Sequence, residues 1–341
     1  MNQSSIRSVI CGVGYYLPQE VVGSDDIQRR VYDASSFTIP NGLIKRATGI
    51  AERRFRHEDE QSSDLALKAS LVAMERAGVG PEDVDLLIFA ACTQDVAEPA
   101  TANILQEKLG LPHAQVFDAK NACNSFLTGL DIADSHIRAG KSRCALVAVG
   151  ETLSLTINWA IKSIDDLRAR ISSLTLGDAG GAVVVKGSSN GYGQGIITSA
   201  FRSYGEKWRL ATVLGGGSMH RFDERYGYFT SSSQGLMEAA YEHIPGLVAE
   251  VLDRVGWKPS DVDVACAHQV SEEMVYKLAE KCGVNVETTI VSVTDCGNTA
   301  AASIPIGLGR AYERGLLRPG AKVLLVGGAA GFSVGVVPLI W

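Results

Sequence analysis

Three residues carry side chains suited to acyl chemistry: a thiol at Cys123, an imidazole at His268 and a carboxamide at Asn298. Cys123 lies in FDAKNACNSFLTGL and opens a predicted helix whose apolar stripe is Phe126, Leu130, Ala133 and Ile137. The positive end of a helix dipole favours thiolate, the reactive form of cysteine. His268 ends the apolar run VDVACAH, where polarity resumes, and Asn298 lies in CGNTAAAS. Each has a plain structural alternative: a core cysteine, a hydrogen-bonded strand-end histidine, and an asparagine in Gly-Asn turn chemistry. The other thiols point away from metal or disulfide roles. The seven cysteines (11, 92, 123, 144, 266, 282 and 296) are odd in number and contain no C-x-x-C pair or His-bearing metal cluster. Cys11, Cys92, Cys144 and Cys266 sit in or beside apolar runs, as small hydrophobes do.

The elements that must position these groups come in two copies. MERAGVGPEDVDLLIFAA, from Met74, matches LDRVGWKPSDVDVACAHQ, from Leu252, at an offset of 178 (256 − 78). EKLGLPHAQVFDAKNAC then matches EKCGVNVETTIVSVTDCGN at an offset of 173 (283 − 110), which sets Cys123 opposite the Cys296–Asn298 segment. Helices at Phe126–Gly140 and Ala300–Gly315 follow, and RCALVAVG and KVLLVGG close the copies. In each copy an amphipathic helix (Leu67, Leu71, Met74; then Val248, Val251, Val255) ends at glycine before a strand buried on both faces. Each half reads as β-α-β-α-β around a mostly parallel sheet. The expected halves are 1–186 and 187–341, with an insertion at about 199–234. Loops at strand ends (Thr93–Ala100, Lys120–Asn124, His268–Ser271, Asp295–Thr299, Gly327–Ser333) are where an open sheet builds its site. Ile157–Ser172 and Tyr204–Tyr228 are expected to wall it.

Composition excludes several classes. A formal net charge of −6 disfavours a broad nucleic-acid face, and no apolar run reaches the length of a membrane span. The first residues lack a signal-peptide layout, so the expected compartment is the cytoplasm, with thiols reduced. GGAAGFSVG follows a strand and leads into another strand, which is not the context of a dinucleotide site. No metal and no tightly bound cofactor is expected.

FDAKNACNSFLTGLDIA, ACAHQVS, DCGNTAAASIPIGL and LLVGGAAGFSVG together resemble the successive motifs of the ketoacyl-ACP synthase III branch of the thiolase superfamily. The likeness runs from GVGYYLP at Gly12 to the last tryptophan. It implies an α/β thiolase fold, layered α-β-α-β-α, and a homodimer paired through the first-half sheet. It also implies that Cys123 carries the acyl group, that His268 and Asn298 complete a Cys-His-Asn set, and that the N–H groups of Cys123 and Gly331 form the oxyanion hole. Substrates would be acyl-CoA or acyl-ACP thioesters, with acyl carrier protein as a partner.

Two departures refine the expectation. Where the fatty-acid-initiating synthase usually has an aromatic residue before proline, this chain has Glu98, in DVAEPATANILQ. That resembles the OleA-type enzymes that join two acyl chains head to head, and pyrone-forming ketosynthases; there a glutamate from the neighbouring subunit acts as base. The expected reaction is therefore a non-decarboxylative Claisen condensation with Glu98 as base. Decarboxylative condensation with a malonyl thioester, and acyl transfer to a hydroxyl or amine, are the alternatives. The ordinary role for Glu98 is a charge in the first turn of the following helix. LIKRATGIAERRF resembles the family's carrier-contacting R-T-G-I segment with an extra alanine, so Arg46 and Arg53 are candidates for the phosphopantetheine entry.

Overall fold

Runs of Val, Leu, Ile and Ala with no charged residue, such as LLIF and CALVAVGE, demand cover on both faces, and two sheets stacked with helices between and outside them provide it. The structure, a computed structural model, describes residues 6–188 and 193–341. The first sheet has the order Arg7–Tyr16, Ala179–Ser188, Cys144–Glu151, Leu86–Phe89, Gln115–Asp118. Its last three strands are parallel and its first two antiparallel to their neighbours. In the second sheet Val264–Ala267 runs parallel to Lys322–Ala329, which pairs antiparallel with Ser333–Ile340. Gly195–Ile196 and Ala200–Ser203 complete it along Ser333–Ile340. Each sheet is thus mixed rather than mostly parallel, because each half ends in an antiparallel return. In the second half this is a tight turn from Ala329 to Ser333, and in the first a longer segment carrying the helix Ile164–Arg170.

Helices Ser125–Arg138 and Ser303–Glu313 form the middle layer. Gly129 of the first packs on Ala90, Val147 and Ile88 while Leu127 reaches Gly327 and Gly335 of the second sheet. Pro305 of the other helix meets Gly181 and its Gly307 meets Cys266, so it too touches both sheets. Ser62–Ala77 and Thr101–Leu109 cover the outer face of the first sheet; Ser233–Arg254 and Glu272–Lys281 cover that of the second. This is the five-layered thiolase fold.

The duplication is tighter than the sequence match suggests. Leu86–Phe89 and Val264–Ala267, Cys144–Glu151 and Lys322–Ala329, and the helix starts Ser125 and Ser303 all stand 178 residues apart (264 − 86, 322 − 144, 303 − 125). The local offset of 173 is made up before the helix, where the second copy carries an extra short helix, Val293–Cys296. Cys123 is therefore the counterpart of Ala301, not of the Cys296–Asn298 segment. Two further expectations change. Ala200–Ser203 is a strand of the second sheet rather than part of an insertion, and the first sheet continues past position 186 to Ser188.

The helix Ser62–Ala77 buries Leu65, Ala66, Ala69 and Ala73, while Leu71, expected on the apolar stripe, is 53% exposed. Small residues face the sheet because the backbones approach closely: a Cβ on Gly180 would lie 2.0 Å from the Leu65 carbonyl oxygen. Gly180→Ala should accordingly lower stability by about 1–3 kcal/mol, the usual cost of overpacking. A reduced urea midpoint with unchanged slope checks this, and an unchanged midpoint would show that the contact relaxes freely.

Candidate active site

The nucleophile loop is held by its own side chains. Ala122, directly before Cys123, has φ 47°, in the left-handed region. The turn is closed by Ser125, whose hydroxyl donates to the Ala122 carbonyl at 2.6 Å and accepts the Asn121 N–H at 2.8 Å. The helix begins at Ser125 with Asn124 as N-cap, so Cys123 stands one residue outside it. The second half repeats this geometry 178 residues later. Ala300 has φ 42°, and the Ser303 hydroxyl donates to its carbonyl at 2.9 Å.

Ala300 orients both other groups. Its N–H donates to Asn298 Oδ1 at 3.0 Å, which leaves the Asn298 NH₂ as the free end of that amide. Its carbonyl lies 3.2 Å from His268 Nδ1; a carbonyl only accepts, so Nδ1 carries the proton and Nε2 is left for a partner in the site. The backbone of Asn298 is fixed by hydrogen bonds with Thr175 and Gly177. That of His268 is fixed by the Val326 carbonyl at 2.9 Å. Cys123, His268 and Asn298 line one cavity of about 350 Å³. Its wall is largely apolar, with Ile171, Phe229, Leu236, Ile244, Leu278 and Phe332. Both loops expected to wall the site contribute to it, through Ile171 and Ser172 and through Ala211.

The electrostatics pair thiolate with imidazolium. The Cys123 thiol is held well below its ordinary range by a hydrogen bond from Cys92, by the His268 charge and by the Ala330 N–H, against burial. Burial alone would lower His268, but the Cys123 charge and hydrogen bond and the Ala300 carbonyl raise it. Cys92 is pushed up and stays a thiol, donating to Cys123. Behind it lies Glu151, fully buried and pushed up to about 7 by that burial. Its carboxylate accepts the N–H groups of Cys92 and Thr93, at 2.9 and 3.2 Å, and of Ala301, at 3.4 Å. Sequence reasoning passed over both groups. Cys92 read as a core cysteine, and nothing in GETLSLT marks its glutamate as buried.

Other predicted residues fall elsewhere. The expected oxyanion donor shifts by one residue: the Ala330 N–H acts on the Cys123 sulfur and Ala330 lines the cavity, whereas Gly331 is not among the lining residues. Arg53 is fully buried, with its guanidinium directed to the Val22 and Leu174 carbonyls and the Ser24 hydroxyl. Burial holds it down at about 10, and it cannot reach a carrier phosphate. Arg46 is exposed beside Ala47 and Thr48, which line the cavity. Glu98 is exposed and does not line its own chain's cavity. It also lies outside the helix turn it was expected to serve: Thr101–Leu109 starts three residues later, and Asp118 accepts the Thr101 and Ala102 N–H groups at 2.8 Å each.

Two stacked sheets with a thiol, an imidazole and an amide at the mutual strand ends define a thiolase-fold condensing enzyme. The profile of 3-oxoacyl-[acyl-carrier-protein] synthase III matches residues 117–205, and that of its C-terminal region matches residues 252–341. Beta-ketoacyl-[acyl-carrier-protein] synthase III of Rhodospirillum centenum is 33% identical over 339 residues, covering 98% of this chain and 99% of that protein. The crystal structure of 3-oxoacyl-[acyl-carrier-protein] synthase III from Aquifex aeolicus superposes with a TM-score of 0.85 at 30% identity, over 98% of this chain and 100% of that one. Xanthomonas campestris OleA, solved with bound lauric acid and lauroyl-CoA, superposes with a TM-score of 0.88 at 25% identity, over 98% and 99%. The chain belongs to the 3-oxoacyl-ACP synthase III family, and it is an acyltransferase-type condensing enzyme. Among the described residues no helix is long and apolar enough to cross a membrane.

The thiolate–imidazolium pair has a pH signature. Iodoacetamide should alkylate Cys123 well below pH 8.5, the ordinary thiol midpoint, with the rate falling only as the pH drops through the depressed pKa. His268→Ala should move that fall to higher pH. A wild-type midpoint near 8.5, mapped to the Cys123 peptide by mass spectrometry, would contradict the pairing.

Proposed function

We propose that this chain is a ketoacyl synthase that takes an acyl group from a thioester onto Cys123 and extends it by decarboxylative condensation with a malonyl thioester. The Cys123 thiolate adds to the acyl thioester carbonyl, and the N–H groups of Cys123 and Ala330 receive the oxyanion, each such donor being worth roughly 3 kcal/mol. The carrier thiolate leaves. In the second half-reaction the malonyl thioester carbonyl accepts hydrogen bonds from His268 Nε2 and the Asn298 NH₂. Loss of carbon dioxide places negative charge on that oxygen, the enolate carbon attacks the acyl-Cys123 carbonyl, and the thiolate is expelled.

The names of the relatives carry this choice over the head-to-head reaction: proteins 30–33% identical over nearly the whole chain are ketoacyl-ACP synthases III, whereas OleA is 25% identical. Among the described residues, Glu273 is the sole carboxylate lining the chain's own cavity; it is exposed and ion-paired with Lys277. Decarboxylation needs no base, only the donors that His268 and Asn298 supply, whereas removal of an α-proton would draw its carboxylate from a neighbouring subunit. The head-to-head reading, with Glu98 as base, keeps one support of its own. Glu98 is exposed with its helix-capping role taken by Asp118, so in a homodimer it is available to the neighbouring subunit. The carrier in either case is coenzyme A or an acyl carrier protein, with Arg46 at the entrance for its phosphate.

Incubation with one acyl-CoA, with and without malonyl thioester, separates the two. The expected product is a β-keto thioester two carbons longer, formed only with malonyl donor and unaffected by Glu98→Ala. A β-keto product of doubled chain length without malonyl donor, lost in Glu98→Ala, would establish the head-to-head reaction instead.

A further inference from the structure

Ser333 begins the last strand three residues beyond Ala330 and connects to both sides of the nucleophile. Asn124 Nδ2 donates to the Ser333 carbonyl at 3.0 Å and to its Oγ at 2.9 Å. Ser333 Oγ in turn donates to Asn121 Oδ1 at 3.4 Å, and Asn121 Nδ2 donates to Thr128 Oγ1 at 3.0 Å. The residues two before and one after Cys123 are thereby joined through a single hydroxyl to the loop that carries Ala330.

Stability alone does not account for an asparagine at this place. Asn124 is fully buried, and its Oδ1 has no hydrogen-bond partner among the described residues. It packs against Gly327, where a Cβ would come within 1.8 Å of that oxygen, so the second sheet gives up a side chain to admit it. A buried acceptor left unpaired is unfavourable, and alanine would occupy the position without one. What asparagine alone supplies is the pair of bonds to Ser333.

We infer that Asn124 is a positioning residue which, through Ser333, holds the Ala330 N–H against Cys123 so that the oxyanion donor is in place before substrate arrives. This rests on the reading of Cys123 as the acyl acceptor. Two reactions of the same sulfur isolate the effect. Acylation by an acyl-CoA passes through an oxyanion; alkylation by iodoacetamide, a displacement at saturated carbon, does not. Asn124→Ala should slow acylation about ten-fold or more, part of the roughly 10²–10³ lost when an oxyanion donor is removed outright, while alkylation at a pH where Cys123 is fully thiolate stays within about two-fold. The alkylation midpoint should rise only slightly, the Ala330 N–H being the least of the groups that lower the thiol. Ser333→Ala keeps the carbonyl acceptor and should show the same split at smaller size. It also serves as the test if Asn124→Ala fails to fold. Equal slowing of both reactions in either variant, or no slowing of acylation, would overturn the inference alone. Wild-type protein that is alkylated at Cys123 yet accepts no acyl group would overturn the proposed function and the inference with it.

Discussion

The backbone of one residue sets the chemistry. Ala300, at φ 42°, directs its N–H to Asn298 and its carbonyl to His268, so a single residue decides which end of the amide and which nitrogen of the imidazole face the cavity. The left-handed region costs a non-glycine residue roughly 1–2 kcal/mol. The Ser303 hydroxyl on the same carbonyl and the start of the middle-layer helix hold it there. Ala122 is its counterpart, with Ser125 in the same relation. Duplication supplied two copies of one elbow: the first presents a thiol, the second orients two hydrogen-bond donors.

The halves also reach into each other. Cys144–Glu151 and Lys322–Ala329 are equivalent strands, and each ends at the other half's elbow. Glu151 takes the Ala301 N–H, while the Ala330 N–H meets Cys123. Ala301 and Cys123 are counterparts, but the contacts differ in kind: the Glu151 carboxylate accepts a backbone N–H, whereas the Ala330 N–H donates to a sulfur. Ala330 also stands one residue past the counterpart of Glu151 (151 + 178 = 329). Cys92, between Glu151 and Cys123, supplies a neutral donor that stabilises the thiolate without adding charge. A second anion this close would oppose the thiolate, and burial keeps Glu151 ready to take up a proton near pH 7.

Much of this was legible in the residues. The paired helix-glycine-turn-strand segments announced a duplicated α/β fold, and four of the five loops at strand ends line the cavity, Thr93–Ala100 being the exception. Where the reading failed, the cause was distance in the chain. Leu71 is larger and more apolar than Ala69, so periodicity favoured it, yet the glycine of a distant strand decides which residue faces inward. Arg53 looked like part of a basic surface cluster because burial of a guanidinium cannot be read from its neighbours in sequence. Gly331 and Ala330 differ by one position, and which of them meets Cys123 depends on a strand of the other half. Asn124 and Cys92 act through Ser333 and Cys123, on other elements of the fold.

The account stands on covalent capture of an acyl group at one sulfur. Intact-mass and peptide mass spectrometry after brief exposure to an acyl-CoA, in the absence of any second substrate, addresses that directly. The predicted result is a single added acyl group on the peptide containing Cys123, absent from Cys123→Ala. An unmodified protein, or an acyl group carried by Cys92 with Cys123 left free, would contradict it.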